Sequence, residues 1–381
     1  MSSLALVPFT FSLLKLPLVA LHNVADYLNP YEIYHFSRIS KKTEKLAKVF
    51  SKKAMRIYLI SPFCVLIDYE EKGDWPIEPN IKPGPDSYTV DRENNQPIYA
   101  YFSKKPASEA LRVLERVIDL FKCSIIYLQL NTRSSRLRRQ DLTSYFDWFT
   151  VNPSEVPYVY LKCKHGADVQ CFIENYKKPS DELDLILWGE RGRSWPLNRE
   201  QLELPDNLET NLFKTVKIIN YKPVNLNLYN IFSSPVIDSF EHQLSNQDLN
   251  TFLKNWQSGL TNPNWKSVCI SVPRQTNLIN ILDGIAATYR DPRTVKRQIN
   301  VDKESFWIFG GIDIQKHDGS ATATIQWKKY KVENEDSEVP NELIEEYETN
   351  QESGEVQHVE QVLQGIVEQL LASSTFSMYI W

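Results

Sequence analysis

One spacing recurs along this chain and limits what it can fold into: an apolar residue followed by others three, four and seven positions on. Leu142, Tyr145, Phe146 and Phe149 have it, as do Val169, Phe172, Ile173 and Tyr176. Leu249, Phe252, Leu253 and Trp256 follow, and then Leu278, Ile281, Leu282 and Ile285. That period places each set on one helix face. Asp141, Asp168 and Asp248 stand just before three of the sets, where a carboxylate satisfies free N–H groups and favours the helix dipole. Between the helices lie short strand patterns: Ile125, Leu128 and Leu130; Val156, Val159 and Leu161; Leu183, Leu185 and Leu187; Phe213, Val216 and Ile218; Trp265, Val268 and Ile270.

Units of roughly 20 to 35 residues, each a strand plus a helix, cannot bury an apolar face alone and must stack on one another. The expected fold is therefore α/β, a curved βα solenoid resembling leucine-rich repeats. One departure stands out. The asparagine expected soon after each repeat strand is replaced by Arg133, Lys164, Tyr221 and Pro273. Ahead of the repeats, Arg56 to Tyr69 and Pro97 to Phe102 read as strands around an exposed Pro/Gly/Asp-rich loop from Lys72 to Ser87. Beyond them, Phe306 to Ile314 and Ser320 to Tyr330 alternate around Asp318-Gly319, the pattern of a β-hairpin cap.

Charge is unevenly spread. The net charge is −5, yet no lysine or arginine follows Lys331, so the body is mildly basic and residues 332–381 read as a solvated acidic tail. Within it, Val356, Val359, Leu363, Ile366 and Leu370 keep helical spacing, which predicts an amphipathic helix over Glu355 to Ala372. Its polar face lacks basic residues, so it has no attraction for an anionic membrane. Leu4 to Leu21 lacks the basic start of a signal peptide and is broken by Pro8, Lys15 and Pro17. Five irregularly spaced cysteines and no Asn-x-Ser/Thr acceptor site agree with a reducing compartment, cytoplasm or nucleus.

Chemistry-bearing constellations are weak. Cys163, His165 and Cys171 lack a fourth ligand, and Cys171 falls within a helix's apolar pattern, so a structural role is favoured over metal. Arg133, Arg136, Arg138 and Arg139 lack interleaved aromatics and read as a solvated edge more than a nucleic-acid contact. Gly189, Gly192, Gly310 and Gly311 do not form a phosphate-binding fingerprint, and neither Gly-x-Ser-x-Gly nor His-Glu-x-x-His occurs. The expectation is a chain without catalytic residues, metal or cofactor. Trp188, Trp195 and Tyr221 lie at or just beyond strand ends, where large aromatics serve as binding anchors or as core.

The first fifty residues carry the clearest pointer. Pro17 opens a helix with Leu18, Leu21, Ala25 and Leu28 at helical spacing, and Asn29-Pro30-Tyr31-Glu32 supplies a cap, a proline at the first helical position and a carboxylate for a second, short helix. Phe36, Ile39, Thr43, Leu46 and Phe50 then predict a third. A segment of about forty residues without cysteine or metal ligands buries too little surface to fold alone, so it must share a core.

The stretch Phe11-Ser-Leu-Leu-Lys-Leu-Pro-Leu-Val-Ala-Leu-His-Asn-Val, with Tyr27-Leu28-Asn29-Pro30, resembles an F-box, whose hallmark is the Leu16-Pro17 pair. Asp248-Leu-Asn-Thr-Phe-Leu-Lys-Asn-Trp-Gln-Ser-Gly259 and Gly311-Ile-Asp-Ile-Gln-Lys-His-Asp-Gly-Ser-Ala-Thr-Ala-Thr-Ile325 resemble the type 2 F-box-associated region of nematode F-box proteins. The resemblance implies an F-box over 10–55, a β-rich connector over 56–107, a βα repeat region over 108–304, a hairpin cap over 305–331 and the acidic tail. It further implies a non-catalytic substrate adaptor of a Skp–cullin–F-box ubiquitin ligase, touching the cullin scaffold only indirectly. Leu16, Pro17, Leu18, Leu21, Leu28, Pro30 and Ile33 are the expected contacts to the Skp adaptor, and Trp188, Trp195 and Tyr221 the expected contacts to a protein substrate. The alternative is a Skp-binding scaffold that delivers nothing for degradation. Neither nucleic acid nor membrane is an expected partner.

Overall fold

The computed structural model describes residues 15–50, 56–60, 63–69, 73–80, 87–90, 97–132, 139–152, 155–163, 166–187, 212–220, 234–240, 244–272, 277–301, 304–326, 332–352 and 374–381. The chain divides into two compact units, Met1–Ile126 and Tyr127–Trp381.

The first unit begins with helices α1 (Leu18–Ala25), α2 (Pro30–Ile39) and α3 (Lys41–Phe50). Strands β1 (Arg56–Ile60), β2 (Cys64–Tyr69), β3 (Gly73–Asn80), β4 (Ser87–Val90) and β5 (Pro97–Phe102) follow, side by side in the order β1-β2-β3-β5-β4. Only β3 and β5 run parallel; the other pairs are antiparallel. The expected loop from Lys72 to Ser87 is thus corrected in its first half, because β3 occupies it. Trp75, Ile77 and Pro79 alternate as a strand requires, and Pro76 and Pro79 withhold N–H donors but not carbonyls.

Helix α4 (Pro106–Phe121) closes this unit. Pro106 sits at its first turn, where no N–H is missed, and Lys122 ends it in the left-handed region at φ 51°, its N–H donating to the Ile118 carbonyl. Ala107, Ala110, Leu111, Leu114, Val117 and Phe121 are buried, and α4 lies against β2 and β3 and beside α2 and α3. The repeat region expected from residue 108 therefore loses its first helix to the first unit.

The second unit is built on β6 (Ser124–Asn131), β7 (Tyr158–Cys163), β8 (Ser180–Leu187), β9 (Phe213–Asn220), β10 (Val236–Phe240) and β11 (Ser267–Val272). Each is parallel to the next in chain order. Helices α5 (Arg139–Val151), α6 (Gly166–Asn175) and α7 (Asn246–Gln257) lie between them in the chain. Register explains the core. Leu128, Val159, Leu183, Val216, Ile237 and Val268 form one row across the strands and Leu130, Leu161, Leu185 and Ile218 another, and all are almost fully buried. Helix aromatics meet these rows and each other: Phe172 stacks on Phe213, and Phe146 and Phe172 pack edge to face.

Three expectations change in detail. The fourth helical set shortens to one turn, α8 (Leu278–Ile281), because Gly284 sits at φ 69° just beyond it. Asp248 belongs to the first turn of α7 while Ser245 is the cap: the Ser245 hydroxyl accepts from Asp248 N–H at 3.2 Å and the Asp248 carboxylate accepts from Ser245 N–H at 2.8 Å. Where the repeat asparagine is missing after β6, the Thr132 hydroxyl donates to Asp168 at 2.6 Å, tying that turn to the start of α6.

Strands β12 (Ala287–Arg290), β13 (Lys296–Val301), β14 (Glu304–Phe309), β15 (Gly311–Gln315) and β16 (Thr322–Gln326) come next. β15 and β16 pair around Asp318-Gly319, but Phe306 to Phe309 turns away to pair with β13 instead. Gly310 and Gly311, at φ 61° and 99°, break the expected single strand, and a Cβ on Gly310 would stand 2.7 Å from the Arg290 carbonyl oxygen. A helix, α9 (Asn341–Glu352), follows. The tail expectation is corrected at its far end: Ser374–Ile380 is a strand, β17, antiparallel to both β11 and β16 and lying between them. Phe376, Ser377, Met378 and Tyr379 are buried there, since alternate residues continue the apolar rows of the parallel strands. The helix expected over Glu355 to Ala372 lies outside the described residues.

Candidate functional site

The hook of α1, α2 and α3 is assembled as short helices tied by local caps. The Leu21 N–H reaches the Pro17 carbonyl at 3.0 Å, starting α1. Asn29 and Glu32 form a reciprocal capping box on α2, at 2.9 and 2.8 Å, with Pro30 in its first turn. The helix expected from Phe36 to Phe50 is broken at Ser40, which is extended at φ −162°. Ser40 and Thr43 exchange side-chain bonds with each other's N–H groups at 2.8 and 3.2 Å, so α2 runs on to Ile39 and α3 starts afresh. Phe50 stacks on Phe36 and meets His22 edge to face, joining the three helices.

One side of the hook is rooted in its own unit. The Tyr31 hydroxyl donates to the Pro76 carbonyl of β3 and accepts from the Tyr99 N–H of β5 at 3.3 Å, while the ring lies edge-on to Trp75 with centroids 4.9 Å apart. His35 stands edge-on to Tyr99 at 4.5 Å. From α4, Arg116 donates to the Ser37 carbonyl at 2.8 Å and to its hydroxyl at 3.2 Å, and Asp119 pairs with Lys48 of α3 at 2.6 Å. Hydrogen bonds from Lys48 and Lys122 hold the Asp119 carboxyl below its ordinary value, and burial raises the Tyr34 hydroxyl. This is the shared core that a segment so short requires.

The expected docking residues separate under this geometry. Leu21, Pro30 and Ile33 are buried within the chain and support the hook from inside. Leu16 and Leu28 are half-buried and Pro17 is exposed; the side chain of Leu18 lies outside the described residues. The hook also holds open apolar side chains outside the expected contact set: Val19 is 74% exposed, Tyr27 87% and Ile39 72%. Val49 joins them, so four of the ten exposed large hydrophobic residues described belong to the hook.

Residues 13–54 match the F-box domain, and residues 203–270 match the F-box associated domain. The chain carries an F-box. Its match spans α1, α2 and α3, and the F-box-associated match spans β9, β10, α7 and the start of β11. Gly311 to Ile325, the other stretch that suggested the associated region, lies beyond that match. No curated protein and no solved structure matches the chain.

Other singled-out residues do not converge on the F-box. Trp188, Trp195 and Tyr221, the expected substrate contacts, lie outside the described residues, as do Arg133, Arg136 and Arg138. Cys163 and Cys171 are buried, and burial, with the Asp168 charge beside it, pushes the Cys163 thiol well above its ordinary value. Among the described residues no group of three or more His, Cys, Asp or Glu side chains is placed to hold a metal ion. No described helix is long and apolar enough to cross a membrane.

Proposed function

We propose that this chain is a substrate-recognition adaptor of a Skp–cullin–F-box ubiquitin ligase, acting in the cytoplasm or nucleus. The observation that carries the reading is the two-sided hook: one side is anchored by Tyr31, Ser37 and Lys48, while Val19, Tyr27 and Ile39 stay open. The Skp adaptor covers these residues together with Leu16, Pro17 and Leu28. Fully burying such a side chain is worth about 1.5–3 kcal/mol, so several together offset the roughly 4–15 kcal/mol that association costs.

The consecutive parallel strands of the second unit, with helices between them, support a leucine-rich-repeat-like substrate-holding body. The chain itself touches no reacting bond. Tethering a substrate beside a charged conjugating enzyme raises its effective concentration to the order of millimolar, which is catalysis by proximity.

Affinity purification tests this with the wild-type chain, Leu16→Asp, Pro17→Ala and the double variant Val19→Asp/Tyr27→Asp. Recovery of the Skp adaptor and cullin is expected to fall in the variants while other partners remain. Equal recovery from all would overturn the reading, and recovery of the Skp adaptor without cullin would identify a non-degradative scaffold instead.

A further inference from the structure

Within the first unit, a groove of about 480 Å³ lies between α2, α3 and α4. Its walls carry charges of both signs, and these are unequally paired. Asp119 is held by Lys48 and Lys122, and Glu44 by Lys48. Glu109 accepts from the Tyr101 hydroxyl at 3.3 Å and lies 3.5 Å from Arg112. Two guanidinium groups of the same groove lack a carboxylate. Arg38, in the last turn of α2, rests over the Tyr34 ring at 5.6 Å and meets no carboxylate among the described residues. Arg116 gives Nε and Nη2 to the hydroxyl and carbonyl of Ser37, which leaves its Nη1 uncommitted.

Tyr34 lines this groove and is 3% exposed. Burial raises its hydroxyl, and the positive charges of Arg38 and then Arg116 act against that rise, so both cations lie near the same oxygen. That hydroxyl has no hydrogen-bond partner among the described residues. A polar group so deeply set and left unpaired needs a reason. Position along α4 completes the pattern. Arg112 and Arg116 occupy the middle of the stripe that faces the groove, with Glu109 about one turn before them and Asp119 about one turn after. Positive charge is central, and negative charge stands at both ends.

We infer that this groove receives a phosphorylated serine or threonine of a partner protein, flanked in the partner's sequence by lysine or arginine. A phosphate monoester carries about two negative charges near neutral pH and three strong acceptor oxygens. Arg38, the free Nη1 of Arg116 and the Tyr34 hydroxyl supply three donors to match them, whereas a carboxylate brings two oxygens and less charge. Guanidinium–phosphate bonds are charge-assisted and often forked. Glu109 at one end, with Asp119 and Glu44 at the other, attracts basic neighbours of the phosphate and repels acidic ones. The site goes beyond the adaptor reading and stands apart from it, since none of these residues belongs to the set assigned to the Skp adaptor.

The test is fluorescence anisotropy of the full-length chain with a labelled glycine-rich peptide holding one phosphoserine between two lysines. Two further peptides carry serine or glutamate in place of the phosphoserine. The phosphopeptide is expected to bind at least about tenfold more tightly than either, a difference near 1.4 kcal/mol, and to weaken when its lysines are exchanged for glutamates. Arg38→Gln should remove the preference for phosphate. Tyr34→Phe, which deletes an unpaired hydroxyl, should weaken phosphopeptide binding about fivefold, as loss of one hydrogen bond predicts. Arg293→Gln, in the second unit, should change nothing. Thermal melts confirm folding of each variant. Equal binding of the three peptides, indifference to the lysine exchange, an unaltered preference in Arg38→Gln, or an equal loss in Arg293→Gln would overturn the inference. Leu16→Asp should bind the phosphopeptide normally, and Tyr34→Phe should recover the Skp adaptor normally, so failure of one proposal leaves the other standing.

Discussion

The hydroxyl of Tyr31, on the second helix of the F-box, donates to the carbonyl of Pro76 on strand β3. Tyr31 is 1% exposed and also receives the Tyr99 N–H. Tyr31→Phe therefore removes a partner from a half-buried carbonyl and from a buried N–H at once, and should lower the stability of the first unit by about 1–3 kcal/mol. Urea unfolding followed by tryptophan fluorescence, with Trp75 against the Tyr31 ring as reporter, checks this; an unchanged midpoint would mean that the bond contributes nothing.

Inside and outside of the F-box should respond differently to substitution. Leu21→Ala removes buried bulk and should cost about 2–5 kcal/mol of stability. Val19→Asp changes an exposed position and should shift stability by less than about 0.5 kcal/mol while weakening recovery of the Skp adaptor. Melting curves and pull-downs on the same preparations separate the two effects.

Asp313 makes the second unit sensitive to acid. It is 6% exposed and accepts from Arg297, Arg290 and Thr324. Burial alone would raise its carboxyl, but these hydrogen bonds together hold it below the ordinary value. A carboxyl with a lowered folded value contributes stability above the unfolded value of about 3.9, and that contribution is lost as pH falls through the folded value. Stability of the wild type should therefore fall below about pH 4 more steeply than that of Asp313→Asn, which should already be about 3 kcal/mol weaker at neutral pH. Acid titration of circular dichroism reads both; parallel curves would remove Asp313 from the account.

Ser245→Ala deletes one half of the capping box on α7 and should cost about 1 kcal/mol, whereas Ser245→Asp should restore most of it. Denaturant midpoints of the two variants provide the comparison.

The parts legible in the sequence were those with a period. The helical sets marked α5, α6 and α7, and the short apolar patterns marked β6, β7, β8, β9 and β11 but missed β10, whose Ile237 completes the core row. The F-box was legible because Leu16-Pro17 and the Asn29–Glu32 box are local signals. What escaped was set by competing local bonds, by distant partners or by averaging over a segment. Ser40 breaks a continuous apolar pattern because it and Thr43 cap each other, and β3 forms despite two prolines because neighbouring strands and Tyr31 take up what the prolines offer. β17 was hidden behind an acidic stretch, since composition averages over a segment whose last residues alternate. Arg38 and Arg116 gave no signal, because only packing of α2 beside α4 brings both near the Tyr34 hydroxyl.

The position of β17 bears on how the molecule is made. Until Ser374–Ile380 has left the ribosome, β11 and β16 each present a row of unsatisfied peptide groups, with most of the second unit already synthesised. Raw edges of that kind recruit foreign strands, so a chain cut short ahead of Ser374 would be sticky instead of merely shorter.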